Sequence, residues 1–207
     1  GTIDPQALSP IRRLKPIGGE FWFGTDMLGR DVYSRVIYGS RVSLTVGLSV
    51  ALLATSVGLA IGLVTGYMRR LDAVMMRVMD GLMSIPSVLL AIALISLTRA
   101  SLENVIMAIA ITEVPRVVRL VRSLVLTLRE QPYVEAAIYI CASAMITEAI
   151  LSFIGAGTPP NIPSWGNIMA EARSLIQVAP TILLFPGLFL SLTVLSVNLL
   201  GDGMRDA

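Results

Sequence analysis

The chain has 207 residues, of which 55% are hydrophobic and 14% charged; its mean hydropathy is +0.77 and its formal net charge +2. A soluble domain carries about 45–50% apolar and about 25% charged residues, so this composition points to lipid as the solvent. The absence of histidine and the single cysteine, Cys141, exclude His-based metal sites, Ser-His-Asp and Cys-His catalysis, internal disulfides and CxxC sites, and with Lys15 the sole lysine there is no basic–aromatic surface for nucleic acid.

Opening at Gly1 without a methionine or a basic-then-apolar leader, the sequence reads as a piece of a longer protein. Residues 1–41 are mixed polar and punctuated by Pro5, Pro10, Pro16 and Gly18-Gly19; they predict an extra-membrane segment that turns into a short helix near Asp31–Gly39. Residues 42–67 carry no charge. As a helix they reach roughly 39 Å, enough to cross a hydrocarbon core of about 30 Å with tilt. Ala54, Gly58, Gly62 and Gly66 recur every fourth residue there. Such a stripe lets another helix approach closely, either within the chain or at a subunit interface.

A basic turn with Arg69, Arg70, Asp72 and Arg77 follows, then a second apolar run over 81–97 interrupted by Pro86. Arg99 and Glu103 mark a brief loop before the third run, 105–126. Arg116, Arg119 and Arg122 share one face of that run, with Glu113 three residues before Arg116 and placed to pair with it. These arginines fit either snorkelling at a membrane boundary or a surface for a peripheral partner. The fourth run, 138–154, encloses Glu148 beside Thr147 and Ser143. A carboxyl there is either a functional site or a hydrogen-bonded packing element.

A Gly/Pro-rich loop spans 155–178, and its first part holds Gly155, Gly157, Pro159, Pro160, Pro163, Trp165 and Gly166. Turn formers at this density argue against helix up to Gly166, and Trp165 suits a membrane interface. The loop reads as an ordered external loop, or as a gate or docking site, with Pro159, Pro160, Trp165 and Gly166 its candidate residues. The fifth run, 179–200, is free of charge. The predicted fold is therefore an all-α, polytopic integral membrane bundle with five visible spans in residues 42–207. An odd number of spans puts the two ends on opposite sides. The 16 Lys and Arg residues divide evenly between those sides, and discounting the distant Arg12, Arg13 and Lys15 makes the side of Arg69 and Arg116 cytoplasmic. There is no G-x-x-x-x-G-K-[ST] loop, so an ATPase driving transport would be another chain.

Several strings converge on one family. Phe23–Gly47 (FGTDMLGRDVYSRVIYGSRVSLTVG), with Gly24, Thr25, Asp26, Gly29, Arg30 and Asp31, resembles the segment leading into a span of the C-type subunit of dipeptide/oligopeptide (peptide/nickel/opine) ABC importer permeases. Arg129–Ala137 (REQPYVEAA) resembles the start of the EAA loop by which such permeases dock on their ATPases, and Glu148–Arg173 and Phe185–Ala207 are similar to the last two spans and the loop between them.

The resemblance implies a bundle of the type I importer kind, with six spans in the full chain and the first of them upstream of Gly1. It implies an extracytoplasmic position for residues 1–41, a multi-pass place in the bacterial cytoplasmic (inner) membrane, and alternating access. The implied partners are a second permease forming a heterodimer, two cytoplasmic ABC ATPases, an extracytoplasmic solute-binding protein and membrane lipid. ATP and Mg belong to the ATPases, and this chain would hold no cofactor or metal. Tyr133, Glu135, Ala136 and Ala137 would form the coupling loop, while Asp26, Arg30 and Asp31 would brace the outer segment. The sequence departs from the family after Ala137. Instead of a glycine three residues on and a later Ile-x-Leu-Pro, it runs through Ile138, Tyr139, Ile140 and Cys141 straight into the next span. Either a segment of the loop is missing from this sequence, or the loop is truly shortened and its coupling is in doubt. The rival expectation is an ion-gradient-driven secondary transporter that uses Glu148.

Overall fold

The computed structural model describes residues 4–98, 101–127 and 132–205; Arg99 and Arg129 lie outside them. The described residues form seven α-helices: α1 (Val32–Tyr67), α2 (Arg69–Met83), α3 (Ser87–Ser96), α4 (Leu102–Thr127), α5 (Pro132–Phe153), α6 (Trp165–Ala172) and α7 (Thr181–Arg205).

Helix α1 is longer than its apolar run. Asp31 caps it, with its side chain accepting from the Ser34 amide, so residues 32–41 join the helix instead of the outer segment. The short helix expected near Asp31–Gly39 is its first turns. Over 36 residues α1 reaches ~54 Å and becomes the mast of the bundle. Its end is abrupt, because Met68 is extended and α2 begins at the next residue. The expected basic turn is in fact α2, an amphipathic helix whose acids and bases are compatible with helix wherever one face is packed.

The second apolar run is not one straight span. Pro86 lacks an N–H and disfavours helix at Ile85, so α2 stops at Met83 and α3 starts at Ser87, with an 88° bend between them. Among the described residues three helices, over Val32–Gly66, Ala136–Phe153 and Thr181–Gly203, are long and apolar enough to cross a membrane, and the bent pair adds a fourth candidate if it counts as one span. The charged α4, which covers the third apolar run, is not among them.

Two close approaches fix the core. Along α1, the stripe residues face α4: a Cβ added at Gly58, Gly62 or Gly66 would lie 2.4, 2.6 or 2.6 Å from Val117, Val121 or Val125. Ala54 is fully buried in the same row. Only glycine permits backbones this near, and β-branched valines fill the space opposite. Gly47 seats α1 on α5 in the same way, against Met145 and Cys141. These contacts also order the bundle end to end. Gly66 at the tail of α1 meets the tail of α4, while Gly39 near its head meets Pro163 and Trp165.

Candidate functional site

At the head of α1 the chain builds a cap from the outer segment, the loop after α5, and α6. Gly24 and Gly29 adopt φ +77° and +72°, and a Cβ at Gly29 would lie 1.8 Å from the Ser9 carbonyl oxygen, so the turn between them is closed to other residues. Inside that turn, Asp26 Oδ1 accepts from the amides of Leu28 (2.8 Å) and Arg30 (2.9 Å). Its Oδ2 accepts from Arg30 Nε (2.7 Å) and Arg35 Nη1 (2.8 Å). Arg35 also reaches Glu171 on α6, at 2.6 Å through Nη1 and 3.1 Å through Nη2, and Arg30 pairs with the same carboxylate. Thr25 donates from its hydroxyl to the Arg12 carbonyl and accepts from the Lys15 amide at 2.7 Å. The Gly24–Asp31 motif thus ties loop, α1 and α6 together. Arg35 and Glu171, which complete it, were missed in sequence because they lie 136 residues apart.

The second half of the cap departs from expectation. Trp165 is 1% exposed instead of lying at an interface, and its indole N–H donates to the Val36 carbonyl at 3.0 Å. It also opens helix α6 inside the stretch read as loop. Ser164 supplies the reason, a cap whose side chain accepts from the Asn167 amide. Gly166 lets α6 lie on α5, since a Cβ there would be 2.6 Å from the Ala149 carbonyl oxygen. Pro159 is half-buried and Pro160 exposed. The Asn167 amide nitrogen lies within 3.0 Å of the carbonyls of Pro159 and Ile162 and 2.9 Å from the Thr158 hydroxyl, which pins the turn.

Glu148 is fully buried beneath this turn. Its partners are not the adjacent Ser143 and Thr147. Ser152 donates to Oε1 at 2.7 Å and Thr158 at 3.3 Å, and Thr158 continues to Ser164 at 3.2 Å. The carboxyl is the root of a hydroxyl chain that fastens the loop to α5.

At the opposite end, the three arginines of α4 are paired. Arg116 Nη1 donates to both oxygens of buried Glu113, at 3.2 and 3.1 Å. Arg122 meets Asp72 of α2, with Nη2 donating to Oδ2 at 2.7 Å, and Arg119 meets Asp80. Asp72 and Asp80 sit two turns apart on α2, a spacing that could have announced this seam in the sequence. The tails of α1 and α4 and the head of α5 lie here. Ala136 and Ala137 are half-buried in the first turns of α5, while the side chains of Tyr133 and Glu135 lie outside the described residues, as do residues 128–131. Among the described residues no group of His, Cys, Asp and Glu is arranged to hold a metal.

An all-α bundle of long apolar helices with a buried ionic cap at one end and the ends of α1, α4 and α5 gathered at the other fits a polytopic membrane subunit. Residues 54–143 match the family described as binding-protein-dependent transport system inner membrane component. The chain is 51% identical to a probable peptide ABC transporter permease protein, y4tQ, of Sinorhizobium fredii, over 98% of this chain and 79% of that protein. It is 38% identical to the dipeptide transport system permease protein DppC of Alkalihalophilus pseudofirmus (96% and 75% covered) and 38% identical to the glutathione transport system permease protein GsiD of Pectobacterium atrosepticum (90% and 71%). The chain belongs to this family of inner membrane components and is an ABC transporter permease subunit; the ion-gradient carrier centred on Glu148 is not supported. The match to y4tQ extends over 230 residues, more than the whole chain has, so that relative carries residues within the matched stretch that are lacking here.

Proposed function

We propose that this chain is one of two permeases forming the pathway of an ATP-driven importer for peptides or similar small solutes in the bacterial cytoplasmic membrane. The second permease completes a heterodimer, two cytoplasmic ATPases carry ATP and Mg, and an extracytoplasmic binding protein delivers solute. The observation that carries this reading is the polarity of the mast. Helix α1, ~54 Å long, holds the buried cap on its first turns and the ends of α4 and α5 near its tail. A rigid element of that length relays movement of the junction to the cap. In this reading the ATPases close on ATP, pull through the Glu135 carboxylate on Tyr133–Ala137, which form the first turns of α5 where a coupling loop was expected, and rock the permease from inward-open to outward-open. The small Ala136 and Ala137 let this end of α5 seat. The peptide substrate follows the names of the relatives at 51% and 38% identity.

The test is uptake of a radiolabelled dipeptide by membrane vesicles holding the full-length gene product with its partner subunits. Glu135→Lys lowers ATP-dependent uptake several-fold while the subunit stays in the membrane at its normal level. Undiminished uptake removes Glu135 from coupling. Uptake that survives ATP depletion but stops on collapse of the proton gradient overturns the importer itself.

A further inference from the structure

Among the described residues, two cavities beside the helices invite comparison. One is an apolar groove of about 590 Å³ between α5, α6 and α7, whose lining of Ile146, Ile150, Phe153 and Leu188 carries no charge to select a ligand. The other, about 320 Å³, lies in the 88° elbow between α2 and α3 and differs in kind. Leu82, Met83 and Pro86 form one wall, and Ser87, Thr112 and Arg116 bring polar groups to it. This volume sits at the lower end of the range for small-molecule pockets, roughly 300–1,000 Å³.

Arg116 is the unusual member. It lies midway along α4 with its side chain 43% exposed, so the guanidinium is open to the elbow cavity that it lines. Its pairing with Glu113 offsets the charge but uses only Nη1. Among the described residues Nε and Nη2 donate to nothing, which leaves one full edge of the guanidinium fork free. That edge matches the two oxygens of a carboxylate. The Ser87 hydroxyl likewise makes no hydrogen bond among the described residues, and Ser87 opens α3 with no side-chain cap ahead of it. Glu113 is 1% exposed, takes a further contact from Ser143 at 3.4 Å, and holds the guanidinium in place from behind.

We propose that the elbow cavity is a binding site for the carboxylate of the transported solute, with Arg116 as its bidentate partner and Ser87 as an additional donor. The site rests on the reading of this chain as an importer of peptide-like solutes, and it is an intermediate station within the membrane subunit. A peptide ends in a carboxylate, so the site would grip one feature common to all peptides and leave the side chains unread.

The experiment uses the complete purified transporter without ATP, so that no turnover is needed. Cys141 is buried, and Ser87→Cys places an accessible thiol in the cavity wall, with labelling of the unsubstituted subunit as the background. The rate of maleimide labelling on this subunit is followed with alanyl-alanine or with alanyl-alanine amide. The expected result is protection by the free acid at concentrations roughly tenfold below those at which the amide protects, the scale of one charge-assisted pair. Arg116→Gln erases that difference. Equal protection by acid and amide, protection by neither, or a difference that persists in Arg116→Gln overturns the site. The acid–amide comparison needs no change at Arg116, so it decides even where that variant does not fold. Dipeptide uptake by the unmodified transporter is measured in parallel. Uptake without acid-selective protection sinks only the site, and protection without uptake sinks only the importer reading.

Discussion

The cap at the head of α1 and the seam between α2 and α4 are both held by guanidinium–carboxylate pairs, and they differ in how far those pairs are withdrawn from solvent. In the cap, the side chains of Arg35 and Asp26 are 2% and 4% exposed, and two arginines share two carboxylates with bonds on nearly every oxygen. In the seam, Arg119 and Asp80 are 45% and 60% exposed and share a single contact. Burial makes the first an obligate unit, since any member left alone is an uncompensated charge in a low-dielectric site. Exposure makes the second replaceable, because water and salt substitute for the partner. One chemistry thus supplies a rigid clasp at one end and a separable contact at the other. The rocking motion proposed above calls for both.

The largest effect expected from this contrast is at Asp26. Asp26→Ala leaves Arg30 and Arg35 facing Glu171 alone and strips acceptors from the Leu28 and Arg30 amides. Breaking a buried pair of this kind costs about 3–5 kcal/mol, a large share of the roughly 5–15 kcal/mol that holds a folded protein. The measurement is the thermal unfolding midpoint of the full-length protein in detergent. Should Asp26→Ala unfold no earlier than Asp80→Ala, the distinction between clasp and contact is gone.

A middle-sized effect belongs to the packing that joins the two ends. Gly62→Leu drives side-chain atoms into Val121, whose Cβ already lies 2.6 Å from where a Cβ at Gly62 would be. Overpacking of this sort costs about 1–3 kcal/mol. Val121→Ala in the same chain returns part of the loss, which the unfolding midpoint of the double variant reads directly. A Gly62→Leu protein as stable as the wild type would mean that α1 and α4 are not in contact along the stripe.

What the sequence disclosed follows the range of each interaction. The apolar runs announced α1, α4, α5 and α7, because hydrophobic length is a local property of the chain. The i,i+3 pair of Glu113 and Arg116 and the four-residue stripe from Ala54 to Gly66 were equally legible, since both live on one helix. The break at Pro86 was visible as an interruption, but its 88° angle was not, because a proline ends a helix without setting where the next one points. Trp165 was misplaced for a related reason. An indole suits a membrane interface and a core alike, and only the Val36 carbonyl, far off in sequence, decides between them. Glu148 was legible as a buried anomaly, yet only Ser152, one turn on along α5, is a local partner; Thr158 lies on the loop that folds back over it. The cap as a whole needed three distant segments, and Arg35 carried no local mark of membership.

The smallest effect tests the other side of the contrast. Asp80→Ala removes the Arg119 contact at the seam, where both partners stay half in solvent. A pair of this exposure contributes ~0.5 kcal/mol, and less as ionic strength rises. A double-mutant cycle with Arg119→Ala, run on unfolding midpoints at low and high salt, isolates the coupling between the two. The expected coupling is small and fades with salt. A coupling that is large and indifferent to salt would show that the seam is dry in the assembled protein, covered by lipid or by a partner subunit. In that case α2 is clamped as firmly as the cap, and the hinge must lie elsewhere. The elbow at Pro86 is then the next place to look, because it joins α2 to α3 through three residues outside both helices.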